Sequence, residues 1–350
     1  LGLCKETDYG KKIAFKRCHF KEEAMSIAHP KFAYEKGLHQ LGNGAYAWLQ
    51  PDGGWGWSNS GLIVDGDQSL VIDTLFDVPL TQDMLAAYAD AEKAAGQINK
   101  VINTHHNGDH CNGNCCCPDA QIIAHKATAE HMMMEPPELL QGFLDAAPDM
   151  GDFGKYLTSC FGPFDFKSVD PKIPDTLFEG DIDIHVGDKL VHLLHVGPAH
   201  TQGDTLVHVP GDRTIYTGDI LFIGGHPIIW EGPVQNWIDA CDKIIALDVE
   251  TIVPGHGPIT TKEGVEQVRH YLVTLRNEAR RRYEAGMTFK EAAFDIALGV
   301  FDDWGDRERV VVNCATLFQE FGAQDRPEVA DLFGGMAEYA MARPQTKPAA

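Results

Sequence analysis

The run Val101-Ile-Asn-Thr104-His105-His106-Asn107-Gly108-Asp109-His110-Cys111-Asn-Gly113-Asn114 decides how the rest of the chain is read. A β-branched, strand-like stretch ends at Thr104. Three imidazoles and a carboxylate then crowd into His105–His110, with Gly108 easing the turn among them. Such crowding lets several lone pairs converge on one cation, and neutral imidazole nitrogen and carboxylate oxygen both suit Zn²⁺. A solvated turn tolerates the same residues, so further donors have to be found elsewhere in the chain. Three later places offer them: His200 in Gly197-Pro-Ala-His-Thr-Gln-Gly203, Asp219 in Tyr216-Thr-Gly-Asp-Ile220, and His256 in Val253-Pro-Gly-His-Gly257. Each follows an apolar run and has glycine within three residues, where the backbone can turn sharply to aim a side chain. Singly each is weak, because a histidine after a strand is more often a satisfied core residue and the aspartate could cap a helix.

In this order and with these flanks, the motifs resemble those of the metallo-β-lactamase superfamily, over roughly Leu38 to Gly257. The resemblance implies an α/β fold, a four-layer αββα sandwich. The family pattern is His-x-His-x-Asp-His; His105, Asp109 and His110 match it, whereas Asn107 stands at the second histidine. His106 is the intervening residue and is expected to point elsewhere. By resemblance, His105 and His200 serve a first metal position, with Asn107 a weak ligand there. Asp109, His110 and His256 serve a second, with Asp219 bridging or binding on that side. An amide oxygen is a poorer donor to Zn²⁺ than imidazole. The expectation is therefore one firmly bound zinc and a second site that is weak or empty, with iron and manganese left open. Asp73 is expected to brace the metal loop.

With 350 residues and 44% hydrophobic composition the chain can bury a substantial core. Its net charge of −22, from 51 acidic and 29 basic residues, opposes a phosphate-backbone partner, so no nucleic acid is expected. Nine cysteines, three of them adjacent at Cys115-Cys116-Cys117, do not resemble a secreted disulfide framework and read as reduced thiols. No apolar run approaches the roughly 18–20 residues that span a bilayer. Residues 1–6 lack the charged-then-apolar pattern of a signal peptide, so a cytoplasmic protein without membrane attachment is the default expectation.

Residues 1–37, with a basic patch at Lys11, Lys12, Lys16 and Arg17, read as an N-terminal extension that could pack at a homodimer interface. Residues 38–260 read as the metallo-β-lactamase-like domain, interrupted at about 132–170 by an insertion or lid rich in methionine, proline and glycine. Residues 261–350 read as a C-terminal helical extension. His39–Leu49 reads as one strand, and the segments 60–65 and 69–74 as a hairpin turning at Gly66-Asp67. Leu80–Ala95 shows helical spacing. Beyond Gly257, Val265, Val268, Leu272 and Leu275 line one helical face, and Thr288-Phe-Lys-Glu291 is a capping-box pattern.

A cation with an open position lowers the pKa of bound water toward about 7. Asp109 is placed to hold or receive that water's proton. Hydrolysis of a small molecule by metal-bound hydroxide is therefore the leading expectation: an ester, lactone, thioester, amide or activated halide. Trp55 and Trp57, in the loop where the family folds a flap, with Phe222, His226 and Trp230 after Asp219, suggest a hydrophobic or aromatic substrate. The rivals are a non-hydrolytic cyclase or iron-dependent dioxygenase on the same fold, and a silent ligand-binding member. The second is disfavoured because all the other ligand positions are kept.

Overall fold

The computed structural model describes residues 27–324 and 327–343. The basic patch of the N-terminal extension lies outside them. Two twisted sheets face each other. The first runs in chain order: β1 (Gly37–Gly42), β2 (Ala45–Leu49), β3 (Ser60–Asp65), β4 (Gln68–Ile72), β5 (Lys100–Asn103), β6 (Gln121–His125) and β7 (Thr176–Phe178). Its first four strands pair antiparallel, and β4 through β7 pair parallel. The second is ordered β12 (Thr251–Val253), β11 (Thr214–Tyr216), β10 (Thr205–Val209), β9 (Lys189–His195), β8 (Ile182–Val186), with only β11–β12 parallel.

Period-two alternation sorts the side chains into layers. Ala47, Leu49, Ile63, Leu70, Ile72, Ile102 and Ile123 point inward against Val191, Leu193, Val207, Val209 and Val253 of the second sheet. Their neighbours Tyr46, Trp48, Leu62, Val71, Val101 and Ile122 point outward onto α1 (Val78–Ala91), meeting Met84 and Tyr88. On the far side, Leu206, Ile215 and Ile252 are covered by Trp237, Ile238, Cys241 and Ile244 of α6 (Val234–Ala246) and by α7 (Lys262–Glu284). The order is helix, sheet, sheet, helix. Each fully buried aliphatic side chain stabilises this arrangement by about 1.5–3 kcal/mol.

The remaining helices are α2 (Gly108–Cys111), α3 (Lys126–Met132), α4 (Pro137–Ala146), α5 (Gly151–Phe161), α8 (Phe289–Asp295), α9 (Val310–Glu320) and α10 (Val329–Ala342). Val265, Val268, Leu272 and Leu275 are all buried on α7, and the Thr288/Glu291 capping box opens α8 with both reciprocal bonds made. One expectation is corrected. His39–Leu49 is a hairpin rather than one strand: Asn43 and Gly44 take positive φ, and the chain reverses there. The edge strand β7 carried no readable pattern in three residues. Within 132–170, Tyr156, Leu157, Phe161, Phe164 and Phe166 are buried with Phe76 in the largest core.

Candidate metal centre

Four loops, leaving β5, β9, β11 and β12 at their carboxyl ends, bring six side chains together. Asp219 is central. Its Oδ2 lies 3.7 Å from His105 Nε2, 3.4 Å from His200 Nε2 and 3.5 Å from His256 Nε2, and its Oδ1 lies 3.1 Å from His110 Nε2. Asp109 Oδ2 is 3.3 Å from His256 Nε2 and 3.8 Å from His110 Nε2. Two clusters result: His105, His200 and Asp219, and Asp109, His110 and His256. Glycine makes the approach possible. Gly218 has φ +49, and a Cβ at Gly255 would collide with the Asp219 carboxylate.

The proton positions follow from the outer partners. His200 Nδ1 is 2.7 Å from the Ile228 carbonyl and His256 Nδ1 3.1 Å from the Gly53 carbonyl. Carbonyls only accept, so both rings carry the proton on Nδ1. His110 Nδ1 donates to Asp73 Oδ2 at 2.9 Å. Thr104 donates its hydroxyl proton to the same carboxylate at 2.7 Å, so its oxygen accepts from His105 Nδ1 at 3.0 Å. All four imidazoles therefore donate outward through Nδ1 and turn Nε2 inward, where a cation that displaces the Nε2 protons of His110 and His256 would find four lone pairs, the arrangement that fixes metal-binding histidines. His105 Nε2 and Asp219 Oδ1 are buried without a hydrogen bond. Asn107 Oδ1 stands 2.7 Å from His200 Nε2, two acceptors facing each other. A shared cation relieves that repulsion, as does rotating the amide. The donor set fits a divalent cation.

Asp73 ties the cluster to the sheet. Its carboxylate accepts from Thr104 N, Thr104 Oγ1 and His110 Nδ1, reaching two of the four histidines through three bonds. We expect Asp73→Asn to weaken metal affinity about 10–100-fold, read by chelator competition, with the fold retained. An affinity within twofold of the parent contradicts this bracing.

Burial pushes the His105 imidazole well below its ordinary pKa and His200 to about 4. Burial also opposes charge on His110 and His256, but the carboxylates outweigh it: Asp219, Asp109 and Asp73 raise His110, and Asp219 and Asp109 lift His256 to about 9. Asp219 is held well below the usual carboxylate range by His256, His110 and His105, against its own burial. Without a cation the aspartates thus retain protons on His110 and His256, and metal uptake must release them. Below pH 9 protons compete, so affinity is expected to rise by about tenfold per pH unit for each proton released. Calorimetric titration with Zn²⁺ at pH 7, in buffers of different ionisation enthalpy, should count at least one proton released per chain. Zero release contradicts the assignment.

Sequence reading missed the supports, the Ile228 and Gly53 carbonyls and Asp204. Asp204 is buried and accepts from Thr201 N at 2.9 Å and Thr201 Oγ1 at 2.6 Å, fixing the loop that carries His200. The Thr201/Asp204 spacing was the available signal. His106 is outside the cluster, with Nε2 3.6 Å from Glu135. Two rim expectations are corrected. His226 is fully buried, its ring nitrogens satisfied by Tyr271 OH at 2.9 Å and Phe301 O at 3.0 Å, so it is structural. Phe222 is 1% exposed and stacks on His256 at 5.0 Å and 5°, backing that ring rather than facing solvent. Trp55, Trp57 and Trp230 keep partly exposed rings.

An αββα sandwich with this inward-facing His/Asp cluster is a metallo-hydrolase. The chain belongs to the metallo-beta-lactamase superfamily, whose family model matches residues 53–256. It is 24% identical over 285 residues to hydroxyacylglutathione hydrolase of Brucella ovis, covering 78% of this chain and 90% of that one. It is 22% identical over 261 residues to 2,4-dinitroanisole O-demethylase subunit alpha of a Nocardioides strain, covering 73% and 69%. Among solved structures, the stereoselective inverting sec-alkylsulfatase of a Pseudomonas species superposes with TM-score 0.61 at 16% identity, over 89% of this chain. The chain spans 55% of that alkylsulfatase's length. No helix among the described residues is long and apolar enough to cross a membrane.

Proposed function

We propose that the protein is a metal-dependent hydrolase of a small hydrophobic or aromatic molecule, with zinc as its resident cation. The observation carrying this is the set of four imidazoles, each donating outward through Nδ1, whose Nε2 atoms converge with Asp109 and Asp219 near loops that carry partly exposed tryptophans. His105, His200 and Asp219 would hold a cation at one position, and Asp109, His110 and His256 at the other. When bound, the cation supplies a Lewis acid and brings the pKa of water toward about 7. Asp109, with 13% of its side chain exposed, is the most accessible of the carboxylates and would take the proton of attacking solvent. Trp55 and Trp57 would exclude water and orient an apolar substrate. The relative named for 2,4-dinitroanisole supports an aromatic substrate. Seven described cysteines are free thiols, which supports a cytoplasmic setting.

The test is a panel of 4-nitrophenyl acetate, an aryl lactone, an acyl thioester and 2,4-dinitroanisole, assayed with and without chelator. Chelator-sensitive turnover of at least one member, abolished by Asp109→Ala, is the expected outcome. A fully metal-loaded protein inert toward all of them overturns the reading.

A further inference from the structure

We propose that the C-terminal extension completes the substrate site: Phe333 of α10 joins Trp55, Phe161 and Trp230 in a wall that receives a planar aromatic group. This rests on the hydrolase reading above and extends it to a specificity-determining residue. The rings meet pairwise, Trp55–Phe161 at 5.7 Å, Trp55–Phe333 at 6.0 Å, Phe161–Phe333 at 6.2 Å and Trp230–Phe333 at 6.0 Å. Phe333 is thus the ring that links the two tryptophans. Trp55, Trp230 and Phe333 all remain partly exposed despite this packing.

The wall is tied to the metal ligands. Trp55 stands two residues beyond Gly53, whose carbonyl accepts the His256 Nδ1 proton. Trp230 stands two residues beyond Ile228, whose carbonyl accepts from His200. Gly232 N, two residues further, donates to Ala199 O at 2.9 Å, closing the same loop onto the His200 turn. Each tryptophan is therefore set by the segment that fixes one of the two candidate metal positions. Trp55 is also locked from the extension's side. Its Nε1 donates to the buried Glu308 at 2.9 Å, and the buried Arg309 guanidinium lies 4.4 Å from its ring centroid. Arg309 in turn is 5.1 Å from Phe222, the ring stacked on His256. A fixed, partly exposed aromatic surface, joined through these loops to both candidate metal positions, offers stacking to a flat apolar group and little to a flexible polar one.

The test uses the full zinc-loaded chain and two probes. Binding of 4-nitrophenol, followed by tryptophan quenching, needs no turnover. Phe333→Ala and Phe333→Leu are each expected to weaken it about tenfold, the leucine because it keeps apolar volume but loses the flat face. Phe143→Ala, on the exposed face of α4, should leave it unchanged. In kinetics, Phe333→Ala should raise KM for 4-nitrophenyl acetate about tenfold while hydrolysis of ethyl thioacetate stays within twofold, with metal content equal to the parent. Unchanged 4-nitrophenol binding in both Phe333 variants, or equal loss on both substrates, overturns the proposal. If the parent is metal-loaded yet hydrolyses nothing, the hydrolase reading falls, and the 4-nitrophenol comparison alone then decides the wall.

Discussion

Asp219→Asn is expected to lower turnover by about 10³-fold or more, roughly 4 kcal/mol of lost transition-state stabilisation, and to release most of the bound cation. No other side chain in the centre touches so many partners, since its two oxygens lie 3.1–3.7 Å from the Nε2 atoms of all four histidines. Its burial would ordinarily favour the neutral acid, yet the surrounding imidazoles hold it strongly ionised. Asparagine preserves the shape but removes the charge and replaces one ligating oxygen by an NH₂ that donates to imidazole nitrogen and cannot hold a cation. A carboxylate that only braced the loop would behave differently, costing nearer 10–100-fold. Elemental analysis alongside kcat separates the two. A variant that keeps its metal and turns over within tenfold of the parent would refute the central role given to Asp219.

How much of this was legible beforehand depended on where the information sits. The six candidate ligands could be read because they stand in glycine-containing turns after apolar runs, in an order the family shares. The layers could be read from period-two alternation, as in Leu62/Ile63/Val64 and Val101/Ile102, which send neighbours to opposite cores. What orients the ligands was not legible. The carbonyls of Gly53 and Ile228 belong to any residue, and only the folded backbone reveals that they accept from His256 and His200. His226 and Phe222 were misplaced for a related reason. Their burial is decided by Tyr271 on α7, the Phe301 turn and Arg309, all supplied by the C-terminal extension. Local pattern carries no signal of what packs onto it from 45–87 residues away. The hairpin at Asn43-Gly44 is different: Asn-Gly is a strong turn signal, and it outweighs the partial alternation that runs through it.

If the parent holds a single firm cation, as the neutral amide at position 107 predicts, Asn107→His is expected to give two per chain. Asn107 Oδ1 already lies 2.7 Å from His200 Nε2, so position 107 directs its side chain at the His105/His200/Asp219 cluster. What the parent lacks there is donor strength, because an amide oxygen is neutral and harder than imidazole nitrogen. Apparent binding energies of about 10–16 kcal/mol for four-ligand zinc sites correspond to about 3 kcal/mol per ligand, so gaining one should tighten this position on the order of 10²-fold. The Asp109/His110/His256 cluster keeps all its donors and should change little. The two positions share Asp219, however, and a second cation will draw its charge away from the first. Dialysis against a weak chelator followed by elemental analysis should give about one zinc for the parent and two for the variant. Two ions held equally firmly by the parent would mean that the amide is no handicap. One ion in the variant would mean that the approach of residue 107 to His200 is a hydrogen bond through a rotated amide, and that no cation is shared there.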